Sequence, residues 1–170
     1  AVAAAALAVS AAAASAQETA LPATTNVIRA ALPRDLSAWS MFWSADSVIR
    51  ISFVGGEQIF QADTLSTQTS ILSSNCVIEY DGVFYWCGVD RFLLFNGVVR
   101  EVENNLNINY FFDGLNYAAR QKVFAMKVPR YGEIWWCYPR GSATECTHAV
   151  IYNVRENTWY DLELPNGGRS

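Results

Sequence analysis

Histidine, cysteine and charged residues are all scarce in this chain. Of its 170 residues one is a histidine and four are cysteines (Cys76, Cys87, Cys137 and Cys146), and Asp, Glu, Lys and Arg together make up 16%. Four cysteines are too few for a disulfide scaffold at this length. Cys87 and Cys137 each follow an aromatic, strand-like run, which favours buried thiols that act as small hydrophobic residues. We therefore expect free thiols and a reducing compartment.

An excess of positive charge is also lacking, since the formal net charge is −4 and the pI is about 4.9. A tight nucleic-acid binder usually carries a basic patch that releases counterions from phosphates. The acidic balance therefore argues against sequence-specific binding of DNA. The acidic balance is compatible with a negatively charged protein surface that DNA passes without being bound.

No long run of large apolar residues is present either. Residues 1–16 are rich in alanine, but the run is too short and too poor in large side chains to span a bilayer, which needs about 20 apolar residues. One interpretation is the remnant of a secretory signal, with Ala14-Ser15-Ala16 as a cleavage pattern. The missing basic residues favour the other, in which residues 1–25 are a low-complexity segment and linker before a folded fragment at 26–170.

Aromatic residues are plentiful, at 14%, and such side chains favour strands. Residues 76–80 and 83–87 are strand-like and flank Asp81-Gly82, a strong signal for a two-residue hairpin with φ > 0 at both central positions. Asn96-Gly97 stands in the same way between residues 91–95 and 98–102. Residues 76–102 therefore predict four antiparallel strands in a meander.

The same order of four strands recurs on either side of this unit. Residues 123–162 predict strands at 123–127, 133–137, 149–152 and 158–162, joined by turns over 129–132 and 153–157 and by a polar loop at 139–147. A weaker unit covers 39–66. It predicts strands at 40–43, 48–53 and 58–60, a hairpin at Gly55-Gly56, and a short fourth strand near Thr64 and Leu65.

These units predict an all-β, mainly antiparallel fold of consecutive four-stranded meanders. Units of about 40 residues match the blades of a β-propeller, and the alternative is a twisted antiparallel sandwich. Because a propeller needs about 4 to 8 blades, three units are part of an incomplete one, and we expect the missing blades outside this sequence.

An insertion over residues 104–122 breaks the strand pattern. Asn116 is placed to cap a helical turn over 117–122, which has basic residues near its end, as the helix dipole favours. Residues 109–113 predict a short helical or irregular segment. The aromatic residues of the insertion either pack back on the core or dock a neighbouring subunit.

Residues capable of chemistry are present but not in catalytic patterns. Cys137, Cys146 and His148 could supply three zinc ligands, but the chain has no C-x-x-C pair and no fourth ligand. No Gly-rich phosphate loop precedes a helix, and no serine stands in a nucleophile elbow. Paired carboxylates are harder to exclude, because propeller glycosidases gather acids from several blades, but most of the five acids near strand ends are better explained as turn formers or rim charges. The five acids are Asp63, Asp81, Asp90, Glu133 and Asp161.

Trp135 and Trp136 suggest a sugar-binding platform at first sight. Neighbours in a strand face opposite sides, so the pair cannot form one platform, and we expect both to be buried between stacked sheets. The sequence therefore predicts no catalytic, cofactor-binding or metal-binding residue, and a protein that is not an enzyme.

Two long strings, residues 77–102 and 128–161, resemble the tail nozzle proteins of short-tailed, podovirus-type bacteriophages. Shorter strings at 42–44, 46–50 and 111–117 are similar as well. The resemblance covers roughly residues 40–162 and excludes the alanine-rich start.

The resemblance implies a structural subunit of the virion, made in the host cytoplasm, that contains a β-propeller and needs no cofactor. Such subunits form a six-fold ring below the portal and adaptor proteins, near the tail fibres, and DNA leaves the capsid through the ring. The loop at 139–147 is the longest polar loop inside a hairpin, and it either touches a neighbouring subunit or is a solvated loop. The alternative is a secreted β-propeller carbohydrate-binding module or glycosidase fragment. A cellular propeller scaffold is disfavoured, because its Gly-His and Trp-Asp repeat signature is missing.

Overall fold

Three four-stranded antiparallel sheets make up most of the chain. The structure, a computed structural model, describes residues 29–31, 39–44, 46–53, 60–103 and 108–168. Within these ranges the fold is all-β with two short helices, which confirms the predicted fold class. The predicted low-complexity segment at 1–25 and the Gly55-Gly56 hairpin lie outside the described residues.

Sheet 1 comprises β1 (Arg29–Ala31), β2 (Trp39–Trp43), β3 (Val48–Phe53) and β4 (Phe60–Ser66), in that order. The predicted division of its end into a third strand at 58–60 and a fourth near Thr64 and Leu65 is wrong. Phe60–Ser66 is one continuous strand paired with β3, and an ion pair between Arg50 and Asp63 (3.0 Å) joins the two strands. The additional strand is β1, which comes first in the chain and pairs with β2.

Sheet 2 comprises β5 (Val77–Tyr80), β6 (Val83–Cys87), β7 (Phe92–Phe95) and β8 (Val99–Glu101). Asp81 and Gly82 have φ of 50° and 78°, which confirms the predicted hairpin. The predicted two-residue turn at Asn96-Gly97 is wrong, because Phe95 pairs with Val99 and leaves three residues in the loop. Gly97 carries the positive φ of this loop (110°), whereas the predicted turn needs φ > 0 at both central residues.

The insertion contains the helix α1 (Ile108–Gly114) and a 3₁₀ helix (Tyr117–Lys122). The Asn116 side chain accepts a hydrogen bond from the backbone N–H of Ala118 (3.1 Å), which confirms the predicted cap. Phe111 is buried against Phe92 of sheet 2 and Tyr138 of sheet 3, so this aromatic side chain packs back on the core.

Sheet 3 comprises β9 (Phe124–Val128), β10 (Glu133–Tyr138), β11 (Cys146–Asn153) and β12 (Thr158–Gly168). Its last two strands are longer than predicted. β12 continues through Pro165 to Gly168, and Gly168 pairs with Cys146 after an irregularity in the register. Gly167, with φ of 67°, allows the backbone to make this irregularity without steric cost.

Sheet 2 lies between the other two sheets, and aromatic rings fill both interfaces. Trp43 of sheet 1 packs against Phe84 and Trp86 of sheet 2, with ring centroids 5.8 and 5.7 Å apart. On the opposite face of sheet 2, Phe92 packs against Trp136 at 4.9 Å and Trp159 at 4.8 Å. These contacts fix the order of the stack as sheet 1, sheet 2, sheet 3.

Hydrogen bonds join sheet 3 to the segments that flank sheet 2. The Ser73 hydroxyl donates to the carbonyl of Val123 (2.6 Å), and the Trp159 indole N–H donates to the carbonyl of Glu103 (2.9 Å). Asn75 and Phe124 form a parallel bridge, so the first strands of sheets 2 and 3 begin side by side and run in the same direction. Neighbouring blades of a propeller are arranged in this way, although three sheets do not close a ring.

Candidate interaction surface

The acids noted in the sequence are not brought together at one site. Asp63 pairs with Arg50 on sheet 1, and the hydrogen bond from Arg50 lowers the pKa of its carboxyl group. Asp90 pairs with the adjacent Arg91 (2.6 Å), which lowers the pKa of Asp90 in the same way, and Asp81 forms part of the first turn of sheet 2.

The two remaining acids lie on opposite faces of sheet 3. Asp161 pairs with Val150 on the face that packs against sheet 2, whereas Glu133 lies on the other face with Trp135. Burial raises the pKa of Asp161. Paired-carboxylate chemistry needs two acids facing one substrate, and these two acids do not share a face.

The three residues considered as zinc ligands are separated in the same way. Cys137 and Cys146 belong to one apolar cluster, but His148 pairs with Tyr138 and so lies on the other face of the sheet. Among the described residues, no group of three His, Cys, Asp or Glu side chains is arranged to hold a metal ion.

All four thiols are free, as predicted, and all four are buried, which was predicted for Cys87 and Cys137. Burial raises the pKa of Cys137 to about 11 and that of Cys146 to about 12, and it raises the pKa of Cys87 well above its ordinary value. Because the thiolate is the reactive form, burial suppresses the reactivity of these cysteines.

Trp135 and Trp136 face opposite sides of β10, as predicted, but only one of them is fully buried. Trp136 is enclosed between sheets 2 and 3, where its indole N–H donates to the carbonyl of Cys76 (3.0 Å). Trp135 is half-buried on the other side of the sheet. The prediction that both are buried is therefore wrong for Trp135, because the described sheets end at sheet 3.

The side of sheet 3 that faces away from sheet 2, here called the outer face, is covered by apolar side chains. The register of the four strands places two complete apolar rows on it. One row is Met126, Trp135, Ile151 and Tyr160, and the next is Phe124, Cys137, Ala149 and Leu162. The buried apolar cluster on this face draws its members from β9 to β12 alone.

The outer face has the shape of a shallow groove. Its floor consists of Cys137, Ala149 and Ile151, which are fully buried. Larger side chains stand along its sides, where Tyr160 and Leu162 are each 40% exposed and Met126 is 36% exposed. Apolar side chains arranged in this way fit another protein surface better than they fit water.

Glu133 orders the aromatic side chains at one end of the groove. Its carboxylate accepts a hydrogen bond from the Trp135 indole N–H (3.0 Å) and another from the Tyr160 hydroxyl. Partial burial, together with the bond to Glu133, raises the pKa of Tyr160 to about 12, so the phenol remains a donor at neutral pH. Both rings are held in place before any partner arrives, which lowers the entropic cost of binding.

The loop after β10 is attached to the insertion. The Arg140 guanidinium lies 3.5 Å from the centre of the Tyr110 ring and donates to the Tyr110 carbonyl and the Tyr138 hydroxyl. The backbone N–H of Gly141 donates to the carbonyl of Gly114 (2.8 Å). The start of the loop is thus engaged within the chain, and contact of residues 139–147 with a neighbouring subunit stays a prediction.

Met126, Tyr160 and Leu162 were not predicted as surface residues of interest from the sequence. The sequence pattern that could have pointed to the outer face is that β9, β10 and β11 carry apolar residues at odd and even positions alike. This pattern is typical of sheets that are covered on both faces.

Along the described part of the chain, no helix has the length and apolar character needed to cross a membrane. In comparisons with known proteins, the chain matches no protein-family model and no curated sequence.

Proposed function

We propose that this chain is a structural component of a bacteriophage virion, a subunit of the tail nozzle through which DNA leaves the capsid. The observation that carries the proposal is the outer face of sheet 3, because a preformed apolar groove on the last described sheet suits stable packing against a further part of the same assembly. The sequence resemblance over residues 40–162 supplies the identity of the assembly.

The proposed partners are further copies of the subunit in a six-fold ring, the adaptor and portal proteins above it, and tail fibre proteins beside it. DNA passes through the ring without sequence-specific binding. The net charge of −4 supports this part of the proposal, because a negative wall repels phosphate and does not retain the DNA.

The first test is to sequence the DNA on both sides of the gene. Neighbouring genes for portal-like and adaptor-like proteins are the expected result, and neighbours for protein export or sugar metabolism would contradict the proposal. A second test is electron microscopy of particles labelled with an antibody against the chain. Label at the distal end of the tail is expected, and particles without label at the tail would refute the tail location.

One observation favours a second candidate, the carbohydrate-binding module. Trp135 and Tyr160 both project from the outer face, with the Glu133 carboxylate between them as an acceptor. Aromatic rings beside a carboxylate can stack on a sugar and bind its hydroxyl groups. Titration with neutral oligosaccharides, followed by tryptophan fluorescence, separates the two functions, because the nozzle subunit gives no saturable change.

A further inference from the structure

The loop between β7 and β8 contains Asn96-Gly97, one of two Asn-Gly pairs in the chain, and the other pair is Asn166-Gly167. An asparagine amide is attacked most easily by the next backbone nitrogen when glycine follows, because glycine has no side chain to obstruct the approach. The attack also needs a mobile backbone and a nitrogen whose hydrogen no other group holds. The two pairs differ in both respects.

The Asn96-Gly97 pair is accessible and unrestrained. Both residues are exposed in the three-residue loop that the pairing of Phe95 with Val99 closes. Nowhere in the described ranges does a group accept a hydrogen bond from the Gly97 N–H. A Cβ atom placed on Gly97 would meet nothing within 4 Å beyond its chain neighbours. The Gly97 nitrogen therefore has both the space and the freedom to approach the Asn96 side chain.

Comparable sites elsewhere in the chain are restrained. Asn166-Gly167 lies within β12, which is paired with β11 as far as Gly168. In the hairpin at Asp81-Gly82, the Gly82 N–H donates to the Glu79 carboxylate (2.7 Å). At both places a strand pairing or a hydrogen bond must open before the glycine nitrogen can react.

Arg100 of β8 acts on the amide group of Asn96. Its guanidinium donates a hydrogen bond to Asn96 Oδ1 (3.0 Å). A positively charged donor on this oxygen withdraws electrons from Cγ, and it stabilises the negative charge that the oxygen gains when Cγ is attacked. The bond does not involve Nδ2, the nitrogen that has to leave. Arg100 is therefore a positioning residue for attack on Asn96.

We propose that Asn96 is a site of spontaneous deamidation through a succinimide, and that Arg100 promotes the reaction. The Gly97 nitrogen loses its proton to hydroxide and bonds to Asn96 Cγ, while the Cγ–Nδ2 bond breaks and the amide nitrogen leaves as ammonia with a proton from water. Water then opens the succinimide ring at either carbonyl carbon, which gives aspartate or isoaspartate at this position. The net reaction consumes one water and releases one ammonia, without an oxidant or a reductant. It does not depend on the proposed tail function.

The reaction changes the loop in two ways. The new carboxylate replaces the amide that accepted the bond from Arg100, so a hydrogen bond becomes an ion pair. Isoaspartate also adds one carbon to the main chain between Phe95 and Val99, the pair that closes the loop. Sheet 2 therefore carries a permanent chemical record of the age of the molecule.

The experiment follows the purified 170-residue chain during incubation at neutral pH, both folded and unfolded in guanidinium chloride. Protease digestion and mass spectrometry measure the modified fraction at Asn96 and at Asn166 separately, because a hydroxyl group replaces an amino group and changes the peptide mass. Labelling by an isoaspartyl methyltransferase detects isoaspartate, which direct hydrolysis of the amide does not produce.

Three variants test the role of the guanidinium. Arg100→Gln removes the positive charge, and Arg100→Lys keeps a positively charged donor. Arg130→Gln is the matched control, because Arg130 is an exposed arginine in a turn of sheet 3. Circular dichroism checks that each variant is folded.

In the folded chain, Asn96 should be modified at least about tenfold faster than Asn166, because β12 must open before Asn166 reacts. In denaturant the two sites should react at similar rates. Equal rates at the two sites in the folded chain, or a lack of isoaspartate at position 96, would overturn the proposal.

Arg100→Gln should slow the reaction at Asn96 about threefold or more in the folded chain, a small effect for an oxyanion donor because water screens this exposed site. Arg100→Lys should restore part of the rate, Arg130→Gln should leave it unchanged, and none of the three should alter it in denaturant. A folded Arg100→Gln chain that reacts as fast as the control would refute the role of Arg100.

Discussion

The two neighbouring tryptophans of β10 allow a direct test of how the sheets are stacked. Trp136→Phe and Trp135→Phe make the same chemical change one residue apart, on opposite faces of the same strand. We expect Trp136→Phe to lower the free energy of unfolding by about 2 kcal/mol and Trp135→Phe to change it by less than about 0.5 kcal/mol.

The first magnitude follows from the surroundings of Trp136. The side chain is fully buried, packs against Phe92 and Trp159, and donates a hydrogen bond to the carbonyl of Cys76. Phenylalanine is smaller by about 40 Å³, and a cavity of that size costs about 1 kcal/mol. Loss of the hydrogen bond costs about 1 kcal/mol more.

The second magnitude follows from the exposure of Trp135. This side chain is half-buried, and its indole N–H donates to the Glu133 carboxylate at the end of the groove. Water can replace that bond and enter the space that the smaller ring leaves. Surface changes of this kind are usually within about 0.5 kcal/mol.

Urea unfolding followed by circular dichroism measures both variants, at a protein concentration where sedimentation shows a single monomeric species. The dependence of unfolding free energy on urea should be unchanged, so the shift in midpoint reports stability alone. Equal losses for the two variants, or a larger loss for Trp135→Phe, would refute the assignment of the faces.

Three further predictions concern a turn, a cap and the thiols. Gly132→Ala should cost about 1–2 kcal/mol in thermal unfolding from its positive φ alone. It should lose further stability from a clash with Arg155, whose side-chain atoms lie 2.8 Å from the added Cβ. Gly141→Ala, with open space around it, is the control, and equal losses for the two variants would contradict the clash. Asn116→Ala should cost about 2 kcal/mol, because it removes the cap and the hydrogen bond that the side-chain amide donates to the carbonyl of Ala143. Asn116→Asp keeps the acceptor for Ala118 but loses the bond to Ala143, so it should recover only about 1 kcal/mol in the same assay. The folded thiols should not react with a disulfide reagent at pH 8. The stability measured by urea unfolding should fall as the pH rises above about 9, because the thiols of the unfolded chain ionise there while those of the folded chain keep their protons. Rapid labelling or a flat pH profile would argue against burial.

Local signals in the sequence predicted the strands of sheets 2 and 3 well. Asp81-Gly82 has one dominant structure between apolar runs, and Asn116 has one obvious role before a helical turn. The position of β1 and the length of β12 were missed because neither has a local signature. Each depends on pairing with a neighbouring strand, Arg29 with Trp43 and Gly168 with Cys146, and pairing across a distance leaves no mark in composition.

The outer face was predictable in part. The opposite orientations of Trp135 and Trp136 follow from the alternation of a strand, whereas the separation of Cys137 from His148 depends on the register between β10 and β11, which the sequence does not show. The sequence could not show which of the two sides of sheet 3 is covered. A strand that is apolar on both sides has the same residue pattern whether or not another sheet packs on its second face. The half-buried state of Trp135 therefore became visible only once the order of the sheets was known.

The stacking of the sheets has a consequence for how the molecule folds and fails. Every strand pairing described is between strands that are consecutive in the chain, so each sheet can form from contacts that are local in sequence. Among the described residues, the ring contacts between sheets join sheet 2 to each of its two neighbours, as in repeat proteins whose stability is a sum of unit and interface contributions. Damage to sheet 1 or sheet 3 removes one interface, but damage to sheet 2 removes both. The middle sheet is thus the one whose unfolding leaves neither of the two interfaces intact.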